Sequence, residues 1–164
     1  MTPARTQPLM PLLIAACTIL LVGFAIRASF GVFQIPIAED FGWPRADFSL
    51  AIAIQNLAWG FGQPVFGALA ERFGDRRAIA LGAVTYAVGL VLSAYAVTPE
   101  AHQLLNVLIG FGIAGTGFGV LLAVVGRSAS PERRSLSLGI ATAAGSAGQM
   151  LGPMLAQSLL GVMA

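Results

Sequence analysis

Charged residues are scarce in this sequence: they make up 10% of its 164 residues, and lysine is absent. A soluble domain carries about 25% charged residues. Because 57% of the residues are hydrophobic and the mean hydropathy is +0.82, the composition indicates that lipid is the main solvent of the chain. The net charge is only +2 and the arginines occur in short clusters, which argues against nucleic-acid binding.

Chemically reactive clusters are also lacking. The single cysteine, Cys17, excludes an internal disulfide and lies in an apolar run, as expected of a small buried or lipid-facing residue. No His, Cys and Asp residues have metal-ligand spacing, and no nucleophile has a plausible base near it in sequence. His102 follows Pro99-Glu100 and is expected to be a solvated loop residue. The sequence therefore predicts neither an enzyme nor a bound metal or cofactor.

Long uncharged stretches are what the sequence has instead. Five of them supply about 20 or more residues, the length that an α-helix needs to cross ~30 Å of hydrocarbon. Lipid-exposed backbone must satisfy its own hydrogen bonds, which favours helices. The sequence predicts an all-α membrane protein, one unit over residues 1–164. Its five transmembrane helices are expected at residues 9–36, 48–71, 77–98, 102–126 and 135–160.

The arginines predict the orientation of these helices. With a cytoplasmic N-terminus, seven arginines fall in cytoplasmic segments and only Arg45 in an outer one, which is a strong positive-inside bias. The acidic residues Glu39, Asp40 and Asp47 collect in the outer segment after the first helix. With five spans, the C-terminus is then expected outside.

The turn between the second and third helices reads GALAERFGDRRAIALG, from Gly67 to Gly82. Its arginines oppose translocation, and Gly74 allows a sharp reversal of the chain. Two carboxylates, Glu71 and Asp75, are interleaved with the cations Arg72, Arg76 and Arg77. Either they form ion pairs at the helix ends, as a latch would, or the turn is a solvated loop of mixed charge.

Arg27 is the only charge inside a predicted span. An unpaired arginine at the centre of a membrane helix costs at least ~2.5–3.5 kcal/mol on insertion scales. Helical spacing places it on one face with Gly23, Gly31 and Gln34. It either faces a central cavity, where it holds a carboxylate bidentately, or snorkels to the outer helix end about 9 Å away.

Other helices carry polar and glycine-rich faces. One face of the second helix is formed by Asn56, Gly60, Gln63 and Gly67. One face of the fifth helix is formed by Thr142, Ser146 and Gln149. These side chains either bind substrate or join helices through hydrogen bonds of about 0.6 kcal/mol each. The fourth helix is expected to be a close-packing helix because of Gly110, Gly112, Gly115, Gly117 and Gly119.

An internal repeat links the second and fifth helices. Shifting the chain by 86 residues brings eight identical residues together over positions 49–70. The two helices run in opposite directions in the predicted topology, as nested inverted repeats of three helices require.

Residues 67–77 resemble the loop signature of the major facilitator superfamily, roughly G-x-L-A-D-R-x-G-R-R/K. Glu71 takes the aspartate position, and Asp75 stands where a basic residue is common. A second family signature, G-x8-G-x3-G-P in the fifth helix, is matched by Gly139, Gly148, Gly152 and Pro153. The glycines that usually end that signature are replaced, so antiport is not inferred. Asn106 stands where the family often has an arginine, and that arginine's role in proton coupling is not carried over.

Residues 23–33, 41–45, 55–60 and 63–64 are similar to the bacterial monocarboxylate and oxalate/formate branch. The resemblance implies secondary transport of small organic anions by alternating access, with a proton as a candidate coupling ion. It implies an incomplete N-terminal half of a twelve-helix fold in the inner (plasma) membrane, with the N-terminus cytoplasmic. The expected partners are the lipid bilayer, the anion, and either the missing C-terminal helices or a second subunit.

The resemblance also assigns roles to residues. It implies that Arg27 is the counter-charge of the anion and that further substrate contacts come from Gln34, Asn56, Gln63 and Gln149. It implies that residues 67–77 form a cytoplasmic latch that stabilises the outward-facing state. Two other readings stay open: a drug or sugar carrier of the same superfamily, and a small membrane protein that acts by helix association.

The chain is too short for both halves of such a carrier, so we expect a native product of more than twice its mass of 16.9 kDa. Intact mass measured from the source membrane checks this expectation. A mass near 16.9 kDa would favour the small helix-association protein instead.

Overall fold

The structure is a computed structural model that describes residues 9–163, apart from the side chains at positions 34, 35, 162 and 163. All regular secondary structure in this part of the chain is α-helical. Six helices follow one another: α1 (Leu9–Phe41), α2 (Arg45–Phe73), α3 (Asp75–Ser93), α4 (Pro99–Thr116), α5 (Phe118–Ser128) and α6 (Pro131–Met163).

The fourth predicted helix, residues 102–126, is interrupted at Gly117. This residue has φ −90° and ψ −170°, an extended conformation that ends α4 and precedes α5. The two helices together form one interrupted rod from Pro99 to Ser128. In residues 9–163, this interrupted rod and the helices α1, α2, α3 and α6 make five rods. The fourth rod differs from the continuous helix that its glycine-rich sequence predicts.

Short turns with recognisable signals join the rods. Gly42 and Gly74 have φ of +65° and +92°, the left-handed region that glycine adopts without strain. Thr98 caps α4, because its Oγ1 accepts a hydrogen bond from the Ala101 amide at 3.3 Å and Pro99 occupies the first helical position. The reversal at Gly74 lies where the sequence predicts it.

Length and apolarity single out three stretches as able to cross a membrane: Leu9–Phe33, Asp75–Ser93 and Pro99–Ser128. Helices α2 and α6 are long enough, at 29 and 33 residues, but less apolar. Many large apolar side chains point outward; Phe61 and Leu104 are each 72% exposed. An exposed apolar surface of this extent is typical of a protein whose surroundings are apolar.

Glycines set the closest helix contacts. The most extensive contacts join α1 to α6 and α2 to α4, followed by α3 to α4. A Cβ atom at Gly148 would lie 2.9 Å from the carbonyl carbon of Leu21, and one at Gly152 would lie 2.7 Å from that of Ala25. The same addition at Gly139 meets open space. Two of the three motif glycines in α6 thus permit close packing against α1, with Pro153 following them inside the helix.

The internal repeat has a counterpart in this packing. Gly62 of α2, which the 86-residue shift aligns with Gly148, lies against α4, where an added Cβ would be 2.7 Å from that of Ala114. The aligned glycines therefore serve the two closest helix pairs, α2–α4 and α1–α6.

The interior consists of three apolar clusters of buried side chains. One joins α1, α5 and α6 around Leu20. A second joins α2, α3, α4 and α5 around Phe66, and a third joins α3 and α4 around Ile109. Trp59 of α2 packs against all three clusters. Its ring therefore lies at the point where the helices converge.

Glycine packing predicts a contrast between two variants of α6. Gly148→Ala forces a methyl group into the α1 backbone and should destabilise the protein by about 1–3 kcal/mol. Gly139→Ala, in open space on the same helix, should leave stability unchanged or slightly raised. Thermal unfolding in detergent measures both, and equal midpoints for the two variants would contradict the packing role of Gly148.

Candidate functional site

Two helices bring the predicted site residues Arg27 and Asn56 together. The Arg27 Nη2 atom donates a hydrogen bond to Oδ1 of Asn56 at 2.5 Å. Arg27 is half-buried on α1, and its guanidinium Nε is buried without a hydrogen-bond partner. The pair joins α1 to α2 and leaves further guanidinium donors unused.

The aromatic ring of Trp59 forms the other wall around Arg27. The guanidinium carbon lies 5.1 Å from the centroid of the Trp59 ring, within the distance of a cation–π contact. Phe24 packs against the same ring edge to face, with centroids 5.9 Å apart. Asn56 and Trp59 are three residues apart on α2 and thus share a face, so one helix holds the cation at two points.

The charge of Arg27 is held by neutral groups. Within residues 9–163, the structure records one ion pair, and it joins Asp75 to Arg127 rather than involving Arg27. An amide oxygen and a π-face orient a guanidinium without neutralising it. Its full positive charge therefore remains available to an anion.

A small cavity lies at the break in the helical backbone at Gly117. This cavity of about 10 Å³, the size of one water molecule, is lined by Gly23, Tyr86, Thr116 and Gly117, among others. The Tyr86 hydroxyl donates a hydrogen bond to the Gly23 carbonyl at 3.1 Å.

The other predicted substrate contacts are not joined to Arg27. Gln63 is exposed on α2 and lies over α5, where a Cβ at Gly119 would be 2.7 Å from its Oε1. Gln149 is exposed on α6. Among the described residues, no hydrogen bond links either glutamine to Arg27. The side chain of Gln34 lies outside the described part of the structure.

The predicted latch spans the end of α2 and the start of α3. Gly67 is half-buried, whereas Glu71, Arg72, Arg76 and Arg77 are exposed, and Arg72 lies over the ring of its neighbour Phe73 at 5.3 Å. Asp75 accepts a hydrogen bond from Nη2 of Arg127 at 2.6 Å. The turns after α2 and after α5 are thereby joined at the same end of the bundle. Of the two carboxylates in the turn, Glu71 and Asp75, it is Asp75 that forms an ion pair, and its partner Arg127 lies outside the turn.

A buried polar network, which sequence reasoning missed, joins α2, α3 and α4. Gln55 donates from Nε2 to Oδ1 of Asn106 at 3.0 Å, and Asn106 donates from Nδ2 to the His102 carbonyl at 2.8 Å. Gln55 and Asn106 are 1% and 0% exposed. Asn106, at the position where the family often has arginine, is therefore a structural link between α2 and α4.

His102 differs from its expected place in a solvated loop. It lies in the first turns of α4, is 5% exposed, stacks against Phe48 and has a tilted ring contact with Trp43. Its Nδ1 lies 2.9 Å from the Ser93 hydroxyl of α3. The local signal for this outcome is Thr98-Pro99-Glu100, a helix start that puts the histidine inside α4.

A larger cavity of about 600 Å³ lies between α1, α3, α4 and α6. Its walls are mainly apolar and include Phe30, Phe33, Trp43, His102 and Leu155. None of its lining residues is charged. Arg27 is not among the residues that line this cavity.

Comparison with known proteins gives a family match over most of the chain. The family model of the Major Facilitator Superfamily matches residues 15–163. Monocarboxylate transporter 13 of Bos taurus is 38% identical over 120 residues, which cover 72% of this chain and 28% of that protein.

Two further relatives match longer parts of the chain. Probable anion transporter 3, chloroplastic, of Arabidopsis thaliana is 26% identical over 96% of this chain and 32% of its own length. The uncharacterized MFS-type transporter YcxA of Bacillus subtilis is 30% identical over 90% of this chain and 36% of its own length. The chain thus spans about a third of the length of the curated relatives it matches.

The Asp75–Arg127 pair should contribute little to stability because both side chains are partly solvated, at 36% and 55% exposed. Asp75→Asn and Arg127→Gln should each lower the free energy of unfolding by up to about 1 kcal/mol, and the double variant should add little more. Unfolding in detergent at low and high salt measures this, and the effect should shrink at high salt. Arg76→Gln in the same turn is the control, and additive losses in the double variant would contradict the pairing.

Proposed function

The chain belongs to the major facilitator superfamily, and we propose that it is part of a carrier that moves small organic anions across a membrane. The relatives with the names monocarboxylate transporter and anion transporter support this substrate class. Substrate moves by alternating access between two helical halves, of which this chain supplies part of the first. The family is one of transporters, so the proposed activity is transport without chemical conversion.

The observation that carries the proposal is the cation at Arg27 with its neutral partners. A charge inside an apolar bundle is expensive and needs a compensating role. Asn56 and Trp59 hold the guanidinium, and no carboxylate among the described residues neutralises it. A substrate carboxylate supplies the missing negative charge, and the planar guanidinium binds it with two parallel hydrogen bonds.

The remaining site residues have proposed roles around this contact. Asn56 orients Arg27, while Gln34, Gln63 and Gln149 add uncharged hydrogen-bonding groups for the substrate. Residues 67–77 act as the cytoplasmic latch, with Asp75 tied to Arg127 in this conformation. A proton is the proposed coupling ion.

The arrangement in the membrane is also a proposal. We place all five rods across the inner (plasma) membrane with the N-terminus in the cytoplasm, where the arginine-rich turns then lie. Further helices, from the same product or from a second subunit, form the opposite wall of the cavity.

Arg27→Gln should abolish uptake of radiolabelled lactate into proteoliposomes, to about a hundredth of the parent rate or less, because the charge-assisted hydrogen bonds to the anion are lost. The native product that contains this chain is used, and its insertion is checked in parallel. Arg45→Gln, at the exposed start of α2, is the matched control and should transport normally.

Full uptake by the Arg27→Gln variant would overturn the role of this residue. Competition by pyruvate and oxalate should reduce lactate uptake in the parent. Competition by a neutral sugar, with none by these anions, would favour a sugar carrier instead.

A further inference from the structure

Trp59 has a position that the proposed function does not yet use. It packs against all three apolar clusters of the bundle and is held by Phe24 at its edge. The ring is therefore fixed by the core from several sides. Its face is directed at the Arg27 guanidinium, whose carbon lies 5.1 Å from the ring centroid.

Arginine, by contrast, is a long side chain with many rotamers. Ordering such a side chain at the moment of binding lowers affinity, and holding it beforehand raises affinity. In this structure the guanidinium has one hydrogen bond to Asn56, and its Nε lacks a partner, so hydrogen bonds alone leave it loosely defined. The π-face of Trp59 supplies the second point of attachment.

We propose that Trp59 is a positioning residue that holds Arg27, through its π-face, in the orientation that receives the substrate carboxylate. This inference rests on the proposed function, since it concerns the same site. Trp59 itself does not touch the anion. It acts by electrostatic attraction between the indole quadrupole and the cation, in a place where neither side chain is freely solvated.

An alternative role for Trp59 is packing alone, because it touches three clusters. Truncation of the ring does not separate the two roles, since Trp59→Leu removes both the packing surface and the π-face. Fluorination separates them. Successive fluorine atoms weaken the π-face while the ring keeps nearly the same size and shape.

The experiment inserts tryptophan with zero to four ring fluorines at position 59 alone, by nonsense suppression, in the native product that contains this chain. Equilibrium binding of radiolabelled oxalate and lactate is measured in lipid nanodiscs. Dissociation constants should rise steadily with each fluorine, to about tenfold for the tetrafluoro ring.

Position 43 provides the matched control. Trp43 is also buried, but it stacks on Phe41 and lies tilted against His102, and no arginine in residues 9–163 is recorded over its ring. The same fluorinated residues at position 43 should leave the dissociation constants unchanged.

The outcomes distinguish the two proposals. Anion binding that is insensitive to fluorination at position 59 overturns the positioning role and leaves the proposed function intact. Absence of anion binding by the parent protein overturns the proposed function and this inference together. A rise at position 59 with none at position 43 supports both.

Discussion

A guanidinium held inside an apolar helical bundle by neutral partners is the contact on which the proposed function depends. Placing an isolated charge in hydrocarbon costs free energy, so a charged side chain within a membrane helix is expected to be oriented by partners and to have a function. Asn56 and Trp59, both from one face of α2, orient Arg27 of α1. Close glycine contacts hold the remaining helices around this point. Gly148 and Gly152 bring α6 against α1, and Gly62 brings α2 against α4.

The buried amide network complements this arrangement from a neighbouring face of α2. Gln55 is adjacent to Asn56 in sequence, and successive helical residues point in directions about 100° apart. Because Gln55 is fixed to Asn106 of α4, the rotation of α2 about its own axis is set, and Asn56 is turned toward α1. A hydrogen-bonded polar pair in an apolar interior favours one register, since any other leaves amide groups unpaired.

Much of the fold follows from the lengths of the uncharged runs, since a helix that meets lipid has few alternatives. The break at Gly117 does not follow, because the six glycines in the fourth rod look alike locally and only packing distinguishes them. Gly112 lies against α3, Gly110 against α2 and Gly115 against both, whereas Gly117 leaves the helix. Helical periodicity places Arg27 and Asn56 on polar faces but does not give the relative rotation of two helices. The Asp75–Arg127 contact, 52 residues apart in the chain, is hidden from sequence for the same reason.

The break at Gly117 also divides the fourth rod into two helices, α4 and α5, each of which has its own contacts with neighbouring helices. In the first half, Asn106 is hydrogen-bonded to Gln55 of α2. In the second half, Arg127 is hydrogen-bonded to Asp75 of α3. Removing one residue from a continuous helix rotates everything beyond it by about 100°. Because the extended Gly117 interrupts the helix between Asn106 and Arg127, the rotation of α5 about its axis is not fixed by that of α4. The two ends of the rod can therefore vary independently, one as an anchor of the core and the other as a contact at the surface of the bundle.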